Sequence, residues 1–241
     1  MTMIKLQGLC KEYEGPHGEI HGLAPLDAEI PTQTVTTIAG KSGVGKTTLL
    51  RLLAGLETAT AGQITLYPDG VYTASDFLRS MVFQEPRLLP WLTVRENMAF
   101  ARWSGADIPA GKVEYYLKLL GICDFADAYP RELSGGIAQR TALGRALCAN
   151  SEMLLLDEPF GALDYFTRQQ LQRDLYRIVQ DEQKTVFFVT HDIREAALLG
   201  DQILCLNQEG GHRLLKNPVR FEERESIFSG SELERAVLAA I

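Results

Sequence analysis

Apolar positions along the chain follow two rhythms. Short runs of branched and aliphatic residues are closed by glycine or charge, and longer stretches repeat an apolar residue every three or four positions. "MIKLQGL" (3–9) and "VTTIAG" (35–40) are of the first kind and predict strands. "SMVFQ" (80–84) and "DQILCLNQ" (201–208) predict two more. "EMLLLDEP" (152–159) and "KTVFFVTHD" (184–192) are continuous apolar runs ending in polar groups. That is the form of a strand buried on both faces of a parallel sheet.

The second rhythm predicts helices between these strands. "KTTLLRLLAGLE" (46–57) spaces Leu49, Leu50, Leu52, Leu53 and Leu56 as one helical face. "SGGIAQRTALGRALCAN" (134–150) brings Ile137, Leu143 and Leu147 to one side, with Ser134 as N-cap. "DYFTRQQLQRDLYRIVQDEQ" (164–183) has Asp164 as its N-cap, and the terminal "SELERAVLAAI" pairs Ser231 with Glu234 at capping-box spacing. Strands alternating with helices predict an α/β fold with a largely parallel sheet. One segment breaks the alternation. From Pro90 to Asn150 the pattern predicts helices and loops but no strand, which reads as a helical insertion into the α/β core. Residues 208–229 are polar with weak periodicity, and the chain carries no internal repeat.

Composition narrows the class. The 241 residues are 46% hydrophobic and 23% charged, enough to bury a core and to argue against wholesale disorder. The net charge of −7 and the scatter of Lys and Arg argue against nucleic acid as the main partner. Cys10, Cys123, Cys148 and Cys205 have no metal or redox spacing and read as reduced, buried thiols. The N-terminus lacks the apolar core of a signal peptide, and no apolar run is long enough to span a bilayer. A membrane role is therefore expected to come through a partner.

"GKSGVGKTT" (40–48) lies between a predicted strand and a predicted helix. Gly40, Gly45, Lys46 and Thr47 fit G-x-x-x-x-G-K-[ST]. Glycines let the backbone N–H groups of Lys41, Ser42, Gly43 and Val44 turn inward, and the following helix adds its N-terminus. Lys46 is expected to reach the β- and γ-phosphates, and Thr47 to offer its hydroxyl to Mg²⁺, with Thr48 beside it. Asp157 and Glu158 end the run "MLLL", which would deliver them to the carboxyl edge of the sheet, where ligands bind. Asp157 is expected to hold Mg²⁺ and Glu158 to act as general base on water.

"LSGGIAQR" (133–140), taken with that loop, resembles the signature of ATP-binding-cassette (ABC) ATPases. Gln84 in "VFQEP" is similar to the Q-loop, "GALD" (161–164) to the D-loop, His191 in "VTHD" to the switch histidine, and Tyr13 in "KEYEG" to the aromatic that stacks on adenine. The resemblance covers nearly the whole chain and weakens after about residue 208. It implies the P-loop NTPase fold of ABC ATPases: a mainly parallel core sheet, an antiparallel β part, an inserted helical signature subdomain over 90–150 and a variable end over 208–241. It also implies a mechanism. Two cassettes pair head to tail around two ATP molecules, most simply as a homodimer. Ser134, Gly135 and Gly136 of one face the γ-phosphate held by the other, with Asp164 of the D-loop close by. Gln84 would sense Mg²⁺, and His191 would contact the γ-phosphate and align Glu158 and water.

"QEPRLLPWLTVRENMAF" (84–100) is similar to the corresponding stretch of bacterial importer ATPases, and its "LLPW" to the nitrate, sulfonate and taurine group, which also includes some thiamine-precursor importers. Leu88, Leu89, Pro90 and Trp91 would then form a partly exposed apolar patch for a short helix of a permease. The implied protein is a peripheral ATPase subunit on the cytoplasmic face of the inner membrane, served indirectly by an external solute-binding protein. The alternatives are an exporter-type ABC ATPase or a soluble one outside transport. Lys41 stands where importers often carry proline, and Thr47 where serine is commoner, which leaves the hydroxyl in place. The chain ends soon after the core fold, so the long regulatory C-terminal domain of some importers is not expected.

Overall fold

The computed structural model describes residues 3–15, 18–67, 70–71, 78–101, 108–227 and 232–241. Its strands are Met3–Gly15 (β1), Gly18–Pro31 (β2), Val35–Gly40 (β3), Ala61–Tyr67 (β4), Gly70–Val71 (β5), Arg79–Val82 (β6), Met153–Asp157 (β7), Thr185–Thr190 (β8), Gln202–Leu206 (β9) and His212–Lys216 (β10). Its α-helices are Lys46–Ala54 (α1), Val94–Met98 (α2), Lys112–Leu119 (α3), Gly135–Cys148 (α4), Tyr165–Asp181 (α5), Ile193–Leu199 (α6), Phe221–Ile227 (α7) and Glu232–Ala240 (α8).

The continuous apolar runs become the centre of a six-stranded sheet ordered β10-β9-β3-β8-β7-β6. All its pairs are parallel except β10 with β9. Every residue of β3, β7 and β8 is buried, as expected of strands covered on both faces. Alternate side chains enter different cores. Leu154, Leu156, Val186 and Phe188 pack with Ile137, Leu143 and Leu147 of α4 and with Leu171, Leu175 and Ile178 of α5. Met153, Leu155, Phe187 and Val189 face the opposite way, onto Leu49, Leu50, Leu52 and Leu53 of α1. The far side of α1 is closed by a second, antiparallel sheet ordered β2-β1-β4-β5, which contributes Ile4, Leu6, Leu9, Leu26 and Ile30. α1 is thus held between two sheets, which fixes the loop that precedes it. Each such leucine taken out of water contributes about 2 kcal/mol to that hold.

Asp164 and Ser134 are the N-caps expected of them. Asp164 Oδ1 accepts from Thr167 N at 3.0 Å and Ser134 Oγ from Ile137 N at 3.4 Å. Several expectations need correction. α1 stops at Ala54 behind the left-handed Gly55, so Leu56 is not part of its apolar face and is 59% exposed. The strand expected at 80–84 is β6, and its ladder with β7 ends at Val82–Leu156, which leaves Phe83 and Gln84 outside it. Cys10, Cys148 and Cys205 are buried free thiols, but Cys123 is exposed. The polar segment 208–229 holds a strand and a helix. Asn207 Oδ1 accepts from Glu209 N at 3.1 Å and Gly211 N at 2.7 Å to turn β9 into β10. In α7, Phe221 stacks on Tyr176 with centroids 3.8 Å apart. Ser231, the proposed cap of α8, lies outside the described residues.

Candidate active site

The loop 40–48 runs from the end of β3 into α1, and two of its glycines are dictated by close approach. A Cβ on Gly45 would lie 2.5 Å from Gly22 O, at a left-handed φ of 99°. A Cβ on Gly40 would lie 2.4 Å from Leu206 O. Lys41, Ser42 and Gly43 are exposed, while Val44 packs partly into the core around α1. Lys46 is only 8% exposed, and its Nζ donates to Gly40 O at 2.7 Å and Lys41 O at 2.8 Å. Burial lowers its pKa from the usual lysine value, against the pull of Glu158 and Asp157. A cation is thus held in place under a loop of backbone amides.

β7 delivers the two acids beside this loop. Asp157, its last residue, is 5% exposed and lies close to the Thr47 side chain. Burial raises its pKa, with Thr47 and Lys46 acting in the opposite sense. Glu158 turns out of the strand at a left-handed φ of 46°, a conformation a glutamate adopts only when its surroundings enforce it. Here Glu158 N donates to Val189 O at 3.1 Å and Gly161 N to Glu158 O at 3.2 Å. The turn presents the carboxylate to the end of β8, where His191 Nδ1 lies 3.1 Å from Glu158 Oε2. Lys46, Thr47, Asp157, Glu158 and His191 therefore meet at one sheet edge, although they span 146 positions of the chain (191 − 46 + 1).

Other sequence-predicted residues lie around this centre. The Tyr13 hydroxyl donates to Glu57 Oε2, with the Thr48 side chain nearby. Its ring lies against Gly22, with Lys11 Nζ 5.3 Å from the ring centroid. Gln84 is exposed just past β6. Ser134 and Gly135 are exposed at the start of α4, and Gly136 lies against the turn before Asp164, where an added Cβ would be 3.3 Å from Ala162 O. Among the described residues, no hydrogen bond or ion pair joins Ser134, Gly135 or Gly136 to the loop 40–48. The apolar patch divides in two: Leu88 packs partly on the core, whereas Trp91 is 65% exposed.

Supporting residues escape a reading of the sequence. Fully buried Asn97 accepts from Leu89 N at 2.9 Å and donates to Leu89 O, Leu92 O and Thr93 O, which fixes the turn that carries Trp91. Gln139 donates to Phe83 O at 3.2 Å, and Arg145 to Arg87 O at 3.1 Å and Pro86 O at 3.2 Å, so α4 holds the segment around Gln84. Their partners are backbone carbonyls of a distant loop, which leave no spacing signal. The one hint was composition: polar residues amid the apolar face of α4.

Residues 23–161 match the family model of the ABC transporter. This chain belongs to the ABC transporter family. It is 35% identical over 237 residues to the aliphatic sulfonates import ATP-binding protein SsuB of Bacillus cereus, covering 98% of this chain and 94% of that protein. To the nitrate import ATP-binding protein NrtD of Synechocystis it is 38% identical over 211 residues, or 86% and 79% of the two chains. Among solved structures it resembles the ATP-binding cassette MJ0796 in a dimeric post-hydrolysis state bound to ADP and Pi. The TM-score is 0.78 at 30% identity, covering 90% of this ABC chain and 100% of that one. Among the described residues of the ABC chain, no helix is long and apolar enough to cross a membrane.

Proposed function

We propose that this chain is the ATP-hydrolysing subunit of an ABC importer for a small anion of the sulfonate or nitrate kind. The observation that carries the hydrolytic part is the 3.1 Å contact of His191 Nδ1 with Glu158 Oε2, beside the buried Lys46 and the Thr47–Asp157 pair. The importer part rests on the likeness to SsuB and NrtD over most of their lengths.

The γ-phosphate of ATP would lie in the loop 40–48. Lys46 Nζ, now spent on two carbonyls, would exchange them for phosphate oxygens, a stronger charge-assisted bond. Thr47 and Asp157 fit Mg²⁺, because a hydroxyl and a carboxylate are hard oxygen donors already in mutual contact. Among the described residues no cluster of three or more His, Cys, Asp or Glu could hold a metal alone, so the remaining ligands would be phosphate oxygens and water. When bound, the ion would neutralise charge on the β- and γ-phosphates. Glu158 accepts the proton of the attacking water as the new P–O bond forms and ADP departs. His191, whose Nδ1 lies 3.1 Å from that carboxylate, would keep it aimed. Gln84 would sense the metal from the segment after β6, and Tyr13 would stack on adenine.

Ser134, Gly135 and Gly136 would act on a second cassette, together with the D-loop at Asp164. Their N–H groups open α4 outward and would receive the γ-phosphate held by a partner copy. The segment 90–150 would move with them as the signature subdomain, and Trp91, Leu89 and Pro90 would meet the permease at the membrane's cytoplasmic face. Gel filtration of Glu158→Gln with and without Mg-ATP tests this reading, alongside steady-state ATPase assays. The expected result is a dimer only with Mg-ATP, with hydrolysis lost. A monomer that binds ATP but does not pair would remove the homodimer.

A further inference from the structure

Glu195 is a partly buried carboxylate to which the proposed hydrolysis gives no role. It sits on the first turn of α6, close after His191, with one oxygen bonded to α5 and the other to the end of β8. Gln172 Nε2, on the third turn of α5 and 4% exposed, donates to Glu195 Oε1 at 2.8 Å. The Thr190 hydroxyl donates to Glu195 Oε2 and itself accepts from Asp192 N at 3.0 Å. Asp192 Oδ1 accepts in turn from Glu195 N at 3.4 Å and Arg194 N at 2.8 Å. The residues on either side of His191 are therefore held in one closed ring, and Glu195 is the member that ties the ring to α5.

That helix is capped by Asp164. One turn in, Arg168 donates from a terminal guanidinium nitrogen to Leu163 O at 3.0 Å, holding the backbone of the same turn. Its charge also acts on the Glu195 carboxylate, and its Nε is buried without a hydrogen-bond partner. Burial raises the pKa of Glu195, while the Thr190 and Gln172 bonds favour the charged form. Nothing in packing requires a carboxylate here, since an apolar side chain would avoid the cost of burying a charge.

We propose that Glu195 is a positioning residue that fixes His191 against Glu158 by tying the His191 turn to the helix that begins at the 161–164 turn. Glu195 touches neither His191 nor Glu158 in the proposed step. It sets where the imidazole stands, and a misplacement of about 1 Å can cost on the order of 10²-fold in rate. The tie also joins the turn that would face a second cassette to the histidine of the first, so the two move as one unit. This inference rests on the hydrolytic reading above.

The test is a double-mutant cycle on the full chain, read as kcat and KM for Mg-ATP, with thermal melts beside it. Glu195→Ala is expected to lower kcat by about 10–100-fold and leave KM within about twofold. Glu195→Gln is expected to recover most of that loss, because its amide oxygen still accepts from Thr190 and the Gln172 amide can turn to accept the new donor. If Glu195 acts through His191, the His191→Ala/Glu195→Ala double variant loses no more than His191→Ala alone, within about twofold. Losses that multiply overturn the proposal, as does a lowered melting temperature with kcat intact. Thr190→Val removes the hydroxyl at matched size and carries the same expectations should Glu195→Ala not fold. Glu158→Gln separates the two levels. If it hydrolyses ATP as fast as the unaltered chain, the hydrolytic reading fails and this inference with it; if it is inactive, the cycle bears on Glu195 alone.

Discussion

The loop 40–48 and the turn before α4 are both helix N-termini introduced by small residues, yet the fold treats them differently. At the loop, Lys46 is 8% exposed and donates to two loop carbonyls, and Thr47 meets Asp157. At the turn, Ser134 and Gly135 are exposed, and the Ser134 side chain does no more than cap its own helix. The loop has its counter-groups within the chain. The turn is exposed, and among the described residues no hydrogen bond or ion pair ties Ser134, Gly135 or Gly136 to the loop. Two anion-ready helix starts, one enclosed and one presented, are what a site assembled from two copies requires of each copy.

The largest effect should come from the enclosed side. Glu158→Gln keeps the size of the side chain but removes the proposed proton acceptor. Hydrolysis should fall by about 10²–10⁴-fold while nucleotide affinity holds. A phosphate-release assay and an equilibrium binding titration on the same protein would check both halves. Loss of binding together with hydrolysis would mean that Glu158 shapes the pocket rather than the reaction.

Next is Lys46→Ala, which removes a charge-assisted donor and leaves Gly40 O and Lys41 O without their partner. The expected loss of nucleotide affinity is about 2 kcal/mol, or roughly 30-fold in Kd. The presented side should not mimic this. Affinity of the single chain for ATP should be the same in Ser134→Ala, whereas helix stability falls by about 1 kcal/mol with the lost cap. Pairing of Ser134→Ala/Glu158→Gln on a sizing column with Mg-ATP should weaken. If Ser134→Ala lowers monomer affinity as Lys46→Ala does, the enclosed and presented sites are one, and the comparison collapses.

This difference between regions also governs what the sequence made legible. The enclosed site was readable because its residues are local to strand ends: Gly40 to Thr47 form one loop, and Asp157 and His191 each close an apolar run that could only be a buried strand. The parallel sheet followed from the same runs. The β1–β2 pair was half visible. Pro25 and the glycines at 18 and 22 break any regular pattern in β2, and the register shifts at Leu6–Leu9 and Leu9–Lys11 break the period in β1. β10 and α7 were missed because one is an edge strand and the other docks mainly through Phe221 and Arg224. The ties between loops and helices were the least legible. Gln139, Arg145 and Glu195 bond to groups whose nearness only the fold creates, and a single polar residue in a helix carries no sign of its distant partner.

The smallest effect on the isolated chain, and the sharpest use of the comparison, belongs to Trp91. It is 65% exposed, on a turn that Asn97 has already fixed, so Trp91→Ala should change stability by no more than about 0.5 kcal/mol. ATP hydrolysis by the free chain should be unaltered. Leu88 is the control within the same patch: it packs against the core, and Leu88→Ala should destabilise by at least about 1 kcal/mol. In vesicles that carry the permease, Trp91→Ala should abolish solute-stimulated hydrolysis while the basal rate stays, because an exposed indole seated in a partner surface is a common anchor of binding energy. Should Trp91→Ala unfold the chain as readily as Leu88→Ala, the indole belongs to the core. The permease would then have to meet this subunit elsewhere, and the presented face would shrink to Ser134, Gly135 and Gly136.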